Sequence, residues 1–533
     1  MLISIIVSLI YCAVCVVVFC QLEKQKDKNT GAGRYIFALM VAAAAAVRVY
    51  FALQNYWFPT DVGNFSAWGT FAVNHGFGEM YRQGHFIDYP PGYMYPLYIL
   101  TALNNLLGFE YGSVPYVAVI KLPAMIADFG CAALLYKMAY KKQGKGFAQF
   151  AALAFLFMPV VITNSSIWGQ IESYFILFVA LSIWFASENK TIPAAISFAY
   201  ALAIKPQAVL FGAVLLFYII KTKSIKEFFK AAGTGLLSFY IIVFPFLANP
   251  LDIGWLAKLY PTSMGTYQYM CVNAYNFYYM LGLNWADSAL FPQGAAVNFA
   301  VIALSVAVTG FVMLKNKTKT SFFATAAVPA ALMFCFCTMM HERYIWPAMF
   351  FALAAWAASG KKMYLVFGLL IGTLNQLNTA WVLAMYQNSY WPTESVCKIV
   401  ALLTVVTTVC YVAYLIKDTL NKAKNMPAEI MPTACGTDAE KQQKIYLKEK
   451  IHNKTQKGFF KKNYSTKTAV AVITAVYAAV ALIGLGSTKA PQTYCIASEA
   501  GESFTVTFDT PADIASVWGF SGLGDDNIAA YGR

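Results

Sequence analysis

Five short polar segments interrupt an otherwise apolar chain, and they carry residue types that could do chemistry. The segments are PTDVGNFSAW at 59–68, IDYPPGY at 87–93, IWGQIES at 167–173, KPQ at 205–207 and HERY at 341–344. They supply carboxylates, which can take a proton from a hydroxyl, and cations, which can bind a phosphate. Arg can bind a phosphate bidentately, whereas Lys supplies a point charge. These residue types predict chemistry at a phosphate group held in or near a membrane.

The candidate residues divide by the part that they could take in such a reaction. Asp61 is the candidate general base. Candidate ligands of a lipid phosphate are Lys205, His341 and Arg343, because a departing negative charge needs cations or a metal to stabilise it. Candidates for positioning an acceptor are Trp68, Asp88, Tyr89 and Glu172, and further candidates are Trp168, Gln170, Gln207, Glu342 and Tyr344.

Each segment also has a purely structural interpretation. Asp61 could cap the helix that follows it, and the two prolines after Asp88 could form only a turn that begins a helix. Trp168 could be an anchor at the membrane surface, Glu172 could be a polar residue at the end of a span, and Lys205 could extend to the lipid headgroups. A functional site is nevertheless favoured, because the charged groups of all five segments fall on the same side of the membrane in the topology derived below.

The composition predicts an integral membrane protein. The 533 residues are 59% hydrophobic and 12% charged, whereas about a quarter of the residues of a soluble protein are charged. Apolar runs of about twenty residues recur, and each can cross the hydrocarbon core as a helix. We predict an all-α polytopic fold with about fourteen transmembrane helices, near residues 2–20, 35–54, 117–138, 147–163, 171–187, 190–204, 206–220, 231–248, 294–314, 321–339, 344–358, 363–382, 396–416 and 467–486.

Lysine clusters between the apolar runs set the orientation of the spans. The net charge of +14 comes largely from such clusters, and loops rich in Lys and Arg stay in the cytoplasm. The clusters predict that the N-terminus, the loops 55–115 and 249–292, and the C-terminus are outside. For the spans to alternate, the short aromatic-rich run 93–107 has to be a helix in the outer interface rather than a span. All five polar segments then lie on the extracytoplasmic face.

The chain divides into five regions, of which the last changes character. In the tail, polar and apolar residues alternate between Ser503 and Asp509 with the period of a strand. The tail is either the opening of a β-domain that stops before it closes a core, or a short appendage. The regions are a leading span with its cytoplasmic loop (1–34), the main transmembrane region (35–416), a basic cytoplasmic linker (417–466), a last span (467–486) and the extracytoplasmic tail (487–533).

Several function classes are disfavoured by the same sequence. The lysines lie in short clusters and form no basic face interleaved with aromatics, so nucleic-acid binding is not predicted. The eleven cysteines lie mostly inside apolar runs, where they behave as small hydrophobic residues rather than as disulfides or a zinc site. No cofactor is implied, and a metal is possible without being required.

At the five segments the chain resembles the GT-C superfamily of membrane glycosyltransferases. It looks most like bacterial proteins similar to the GPI-anchor mannosyltransferases, and like the dolichyl-phosphate-sugar-dependent glycosyltransferases. The likeness covers about residues 35–385 and rests on the order of Asp61, Trp68 and the Asp-Tyr-Pro-Pro segment at 88–91, followed by WGQ, KPQ and HERY. Two departures are the leading span and the single acidic residue at 61, where the family has Asp-Asp or Asp-Glu. The resemblance implies a polyprenyl-phosphate sugar donor, an inverting transfer, Asp61 as the base and no metal. It does not carry the substrate with it; we predict transfer of a hexose, mannose-like, to an acceptor hydroxyl.

Two other functions remain open. A lipid-linked glycan ligase or polymerase would need the same phosphate-binding cations. A secondary transporter would show repeated halves and polar groups at mid-membrane, which fits the sequence less well. The sequence leaves the acceptor open as a glycan, a lipid or a protein.

Overall fold

The structure is a computed structural model that describes residues 2–25, 31–54, 58–82, 86–222, 225–265, 267–288, 291, 293–316, 319–388, 394–424 and 466–483. Within these residues the chain is almost entirely helical. The helices are α1 (Leu2–Lys24), α2 (Arg34–Ala52), α3 (Pro59–His75), α4 (Met94–Leu107), α5 (Val114–Ile120), α6 (Leu122–Gln143), α7 (Lys145–Leu156), α8 (Pro159–Ile162), α9 (Glu172–Ser187), α10 (Thr191–Ile204), α11 (Val209–Thr222), α12 (Ile225–Val243), α13 (Gly254–Gly265), α14 (Phe277–Met280), α15 (Gly294–Lys315), α16 (Lys319–Phe336), α17 (Trp346–Ser359), α18 (Lys362–Asn388), α19 (Glu394–Lys424) and α20 (Thr466–Ile483).

Each predicted span falls on one or more of these helices, so the all-α polytopic fold is confirmed. Among the described residues, seven helices are long and apolar enough to cross a membrane, and up to eight if one bent pair is counted as a span. Five further apolar helices are shorter, among them α9, α10 and α17. The predicted number of about fourteen spans stays a prediction.

Two predicted spans are broken in the structure. The run 117–138 divides at Lys121 into α5 and α6, with Pro123 in the first turn of α6. The run 147–163 divides between α7 and α8, where the chain bends by 50°. Pro159 begins α8, and a proline inside a helix would clash with the carbonyl four residues earlier. The helix therefore ends at Leu156 and restarts in a new direction.

Helix α17 lies at the centre of the bundle. Every residue from Trp346 to Ala357 is buried, and α17 packs against α6, α16 and α18. Helices α1 and α12, by contrast, expose large apolar side chains such as Leu9, Phe229 and Leu236. A helix that is apolar all round and exposed on one side suits a position facing lipid.

The predicted interfacial run forms α4, which packs against α3 and α5. Its buried residues Leu97, Thr101 and Asn104 repeat with helical spacing, whereas Leu106 and Leu107 are exposed. Helices α3 and α4 approach closely, because a Cβ on Gly69 would lie 2.2 Å from the Thr101 hydroxyl. The helix is as predicted, and its depth relative to the membrane stays a prediction.

Two short strands join distant parts of the chain. Strand β1 (Cys271–Val272) pairs in parallel with β2 (Met340–His341), with Val272 opposite His341. The second predicted outer loop is thereby tied to the HERY segment. The predicted linker 417–466 begins inside α19, which continues to Lys424. Most of that linker and the whole strand-like tail 487–533 lie outside the described residues.

Candidate active site

The five polar segments meet at one cavity of about 210 Å³. It lies among α3, α9, α11, α16 and the HERY segment. Of the candidate residues, only Gln170 does not line it. The lining includes Asp61, Trp68, Asp88, Tyr89, Trp168, Glu172, Lys205, Gln207, His341, Glu342, Arg343 and Tyr344.

Asp61 lies in the first turn of α3 but does not cap it. Pro59 begins the helix and Phe58 is its N-cap, without a side-chain hydrogen bond to the free N–H groups. The carboxylate instead accepts a hydrogen bond from Trp168, with 2.7 Å between Trp168 Nε1 and Asp61 Oδ2. Trp168 is only 1% exposed. Neither the capping interpretation of Asp61 nor the membrane-anchor interpretation of Trp168 describes this contact.

The contact between Asp61 and Trp168 depends on the glycine that follows the tryptophan. Trp168 ends a π-helical turn, Thr163–Trp168, and Gly169 is in the left-handed region with φ of +89°. A Cβ on Gly169 would lie 2.7 Å from Cγ2 of Val62 on α3. Glycine is therefore required on both counts, the backbone conformation and the close approach to α3.

Two of the three candidate phosphate ligands, Lys205 and Arg343, are paired with carboxylates. Lys205 Nζ donates to Glu172 Oε1 at 2.7 Å, and Arg343 Nη1 donates to Glu342 Oε1 at 2.6 Å. Arg343 Nε lies 3.7 Å from Glu172 Oε1, so Glu172 lies between the two cations. Burial lowers the pKa of Lys205, and the Glu172 carboxylate opposes that shift. Lys205 thus points into the protein and does not extend to lipid headgroups.

The Arg343 guanidinium also connects this network to Asp61. Its central carbon lies 5.6 Å from the centre of the Trp168 ring and 5.7 Å from that of Tyr344. A cation over an aromatic face is attracted to it. One tryptophan therefore contacts the arginine with its ring and Asp61 with its N–H.

Asp88 is the second carboxylate that faces the cavity beside Asp61. Burial raises the pKa of Asp88 to about 6, and the negative charge of Asp61 adds to the shift, while Lys205 and Arg343 oppose it. The adjacent Tyr89 donates to Gln170 Oε1 at 3.4 Å, and Lys205 Nζ lies 5.3 Å from the Tyr89 ring centre. Asp88 is therefore partly protonated at mildly acidic pH.

His341 differs from its expected role as a cation. Burial and the positive charges of Arg343 and Lys205 lower its pKa well below the ordinary value of 6.5. His341 belongs to strand β2, and the centre of its ring lies 4.9 Å from the centre of the Tyr267 ring. His341 is therefore neutral at physiological pH and could give a phosphate a hydrogen bond but no charge.

Part of the chain that lines this cavity matches a known protein family. Residues 86–338 match the family model of glycosyltransferase family 87. The chain is a membrane glycosyltransferase. The match includes Asp88, Glu172 and Lys205, and it ends three residues before His341. The resemblance to membrane glycosyltransferases that the motifs carry is thereby confirmed.

Two solved structures similar to this glycosyltransferase are both of ArnT from Cupriavidus metallidurans. One is bound to undecaprenyl phosphate, with 14% sequence identity, a TM-score of 0.34, and coverage of 73% of this chain and 79% of that chain. The other, in the apo state, has 14% identity, a TM-score of 0.35, and coverage of 72% and 77%. Among curated protein sequences, no significant match was found.

The loop 249–292, predicted to be an outer loop, supplies lining residues of the glycosyltransferase that the motifs did not indicate. Tyr267, Asn273 and Trp285 line the cavity, and Trp285 Nε1 donates to Asn273 Oδ1 at 3.0 Å. Asn273 and Trp285 both have positive φ, 54° and 59°. Such strained backbone clusters at functional sites. A loop rich in Tyr, Trp and Asn between two spans was the available signal.

The cavity lining also includes apolar side chains. They are Phe175 on α9, Leu210 and Phe211 on α11, and Ala330, Met333 and Phe334 on α16. In the described part of the chain, no group of three or more His, Cys, Asp or Glu side chains is placed to hold a metal. The lining suits a ligand with a charged head and a hydrocarbon tail.

Proposed function

We propose that this glycosyltransferase moves a mannose-like hexose from a polyprenyl-phosphate donor to an acceptor hydroxyl, with inversion, on the extracytoplasmic face. The observation that carries the proposal is one cavity lined by Asp61, by the cations Lys205 and Arg343, and by apolar side chains. A carboxylate, phosphate-binding cations and a surface for a lipid tail are what such a transfer requires.

The proposed reaction is a single displacement with Asp61 as the general base. Asp61 takes the proton of the acceptor hydroxyl while the acceptor oxygen attacks the anomeric carbon of the sugar. The bond between that carbon and the phosphate oxygen breaks, and its electron pair leaves with the polyprenyl phosphate. Lys205 and Arg343 stabilise the negative charge that develops on the phosphate. Attack from the face opposite the leaving group inverts the anomeric centre.

Residues around Asp61 suit the holding of the acceptor. Trp68 is buried, and its Nε1 donates to the Phe86 carbonyl at 2.8 Å. The Trp68 and Tyr89 rings lie 5.5 Å apart and both line the cavity. Rigid aromatic faces beside a base can orient a sugar or another ring-containing acceptor. We therefore assign Trp68, Tyr89 and Asp88 to positioning the acceptor.

The extracytoplasmic location is supported by the direction of the helices. Helix α6 begins beside Lys121 near the cavity and ends at Lys141 and Lys142. Helix α17 begins after Arg343 and ends before Lys361 and Lys362. The lysine clusters therefore lie at the helix ends remote from the cavity. Because such clusters stay in the cytoplasm, the cavity opens on the other side.

The direct test is a transfer assay with the purified protein in detergent or liposomes. A polyprenyl-phosphate monosaccharide is supplied, and release of free polyprenyl phosphate is measured with candidate acceptors. We expect release that depends on an acceptor and a product of inverted anomeric configuration. A product carrying several sugars transferred at once would favour the ligase or polymerase, and no release from any monosaccharide donor would contradict the proposal.

The pKa of Asp88 predicts a pH dependence of donor binding. Asp88 is neutral below about pH 6 and charged above it. A charged Asp88 repels the donor phosphate, so the KM for the donor should rise as the pH increases through 6, by up to about tenfold. Steady-state kinetics from about pH 5 to pH 7.5 would measure this. In Asp88→Asn, which cannot ionise, the donor KM should not change with pH; a KM profile like that of the wild type would contradict the assignment.

A further inference from the structure

A buried ion pair lies inside the transmembrane bundle, outside the cavity lining. Arg48 on α2 and Asp128 on α6 are both 0% exposed, and Arg48 Nε lies 2.7 Å from Asp128 Oδ2. Arg48 Nη1 also donates to the carbonyl of Ala44 on its own helix at 3.1 Å. Charged residues inside spans are costly and rare, and they usually serve a function.

The carboxylate of Asp128 has two further partners in the 165–173 segment. Ser165 Oγ donates to Asp128 Oδ2 at 2.7 Å, and Ser173 Oγ donates to Asp128 Oδ1. Ser165 and Ser173 stand at the two ends of this segment. Asp128 therefore fixes both ends of one stretch of chain at a single point.

The middle of the same segment is held from another side. Lys121 Nζ donates to the carbonyl oxygens of Ser166 and Ile167, at 3.0 and 3.1 Å. Both residues lie at the C-terminal end of the π-helical turn, Thr163–Trp168, where the last carbonyls of a helix have no partner within it. With Asp128 at the ends and Lys121 in the middle, the backbone of 165–173 has little freedom.

This segment carries two side chains that organise the cavity. Trp168 donates to Asp61, and Glu172 accepts from Lys205. The fixed ends flank both residues. A shift of the segment would therefore move the proposed base and the proposed phosphate ligand together.

We propose that Asp128, paired with Arg48, is a positioning residue for the transfer reaction. This proposal rests on the proposed function, since the residues that Asp128 helps to position are the proposed base, Asp61, and the proposed phosphate ligand, Lys205. Stability alone does not explain the pair, because buried ion pairs can often be replaced by apolar residues without loss of stability. Its hydrogen bonds hold the segment 165–173, whose Trp168 and Glu172 contact Asp61 and Lys205.

The test uses the serines, because removing Asp128 itself would leave Arg48 buried without a counter-charge. The variant Ser165→Ala/Ser173→Ala removes both connections to the segment and keeps the ion pair. We expect its kcat to fall by about 10- to 100-fold, since small misplacements of reacting groups have effects of that size. The matched control is Ser182→Ala on α9, a buried serine that donates to the Ala194 carbonyl at 2.7 Å, away from the segment. It should lose similar thermal stability per serine and keep its kcat.

A double-mutant cycle with Trp168→Phe separates positioning from general destabilisation. In the Trp168→Phe background the serine replacements should lower kcat clearly less than they do in the wild type, because the part of their effect that acts through Trp168 is already lost and only the part through Glu172 remains. Losses that multiply in that background, or a serine variant as active as Ser182→Ala, would overturn the proposal. If Asp61→Asn kept its turnover while the serine variant lost kcat, Asp61 would be rejected as the base. The segment 165–173 would then still have a positioning role in the reaction.

Discussion

Replacing Asp61 with Asn should abolish most transfer while leaving the protein folded and able to bind its donor. Asn keeps the size of the side chain and an oxygen that can still accept the hydrogen bond from Trp168 Nε1, now 2.7 Å from Asp61 Oδ2. The change removes only the ability to take a proton. General-base catalysis typically contributes about 10²- to 10⁴-fold, so kcat should fall by that factor. Donor binding should survive because Lys205 and Arg343 are unchanged.

The substitution distinguishes a general base from a residue that only helps to begin α3, because only the base needs a carboxylate that can take a proton. If Asp61 served only to begin α3, Asn would replace it well, since Asn and Asp are about equal as helix caps. Turnover would be measured as release of polyprenyl phosphate, and donor binding by a separate equilibrium assay. Asp88→Asn provides the comparison, with a milder loss expected from its positioning role. An Asp61→Asn enzyme that keeps more than about a tenth of wild-type turnover would move the base to Asp88 or Glu172.

The transmembrane helices follow directly from hydropathy, but their interruptions do not. A window of about twenty residues detects an apolar run and averages over single residues within it. The breaks at Lys121 and before Pro159 are set by one or two residues and by packing. The bend at Pro159 carries a sequence signal, because proline interrupts helical hydrogen bonding. The bend is followed by the π-helical turn that ends at Trp168, the residue that donates a hydrogen bond to Asp61.

The residues of the cavity were predictable where short polar segments interrupt the apolar runs. Asp61, Glu172 and Arg343 lie in such segments, and the structure brings the segments together. Trp285 and Asn273 were not predictable in this way, because their placement depends on the pairing of β1 with β2. Strands of two residues have no detectable period. The neutral state of His341 also needed the structure, because it follows from burial beside two cations.

Arg48 and Asp128 could have been singled out from the sequence. A search for short segments with several polar residues does not find them. Each is a single charge within an apolar run, which is itself a sign of function in a membrane protein. Neither has a charged neighbour in the sequence that would mark a motif. Their relation appears only when α2 and α6 are packed together, 80 positions apart in the chain.

Replacing Arg343 with Lys should weaken donor binding strongly even though the positive charge remains. Arg343 bonds Glu342 at 2.6 Å, lies 3.7 Å from Glu172 and stacks over the Trp168 ring. A lysine ammonium is a compact charge without the planar fork, and it cannot make these contacts and also bind a phosphate bidentately. Loss of one charge-assisted contact costs about 1.5–3 kcal/mol, so donor affinity should fall by about 10- to 150-fold. Lysine keeps Glu342 and Glu172 compensated, so the protein should fold, whereas Arg343→Ala would leave both carboxylates buried with less positive charge.

The matched control for that experiment is Arg82→Lys, the same chemical change at a residue outside the cavity. Arg82 pairs with Glu79 at 3.2 Å, and both side chains are about 40% exposed. Exposed pairs of this kind contribute little, so donor affinity and turnover should stay at wild-type values. Equilibrium binding of a polyprenyl-phosphate sugar to both variants, beside their thermal stability, measures the difference. If Arg343→Lys bound the donor as tightly as Arg82→Lys does, the phosphate would lie elsewhere in the cavity, and Lys205 alone would remain as the cation opposite Asp61.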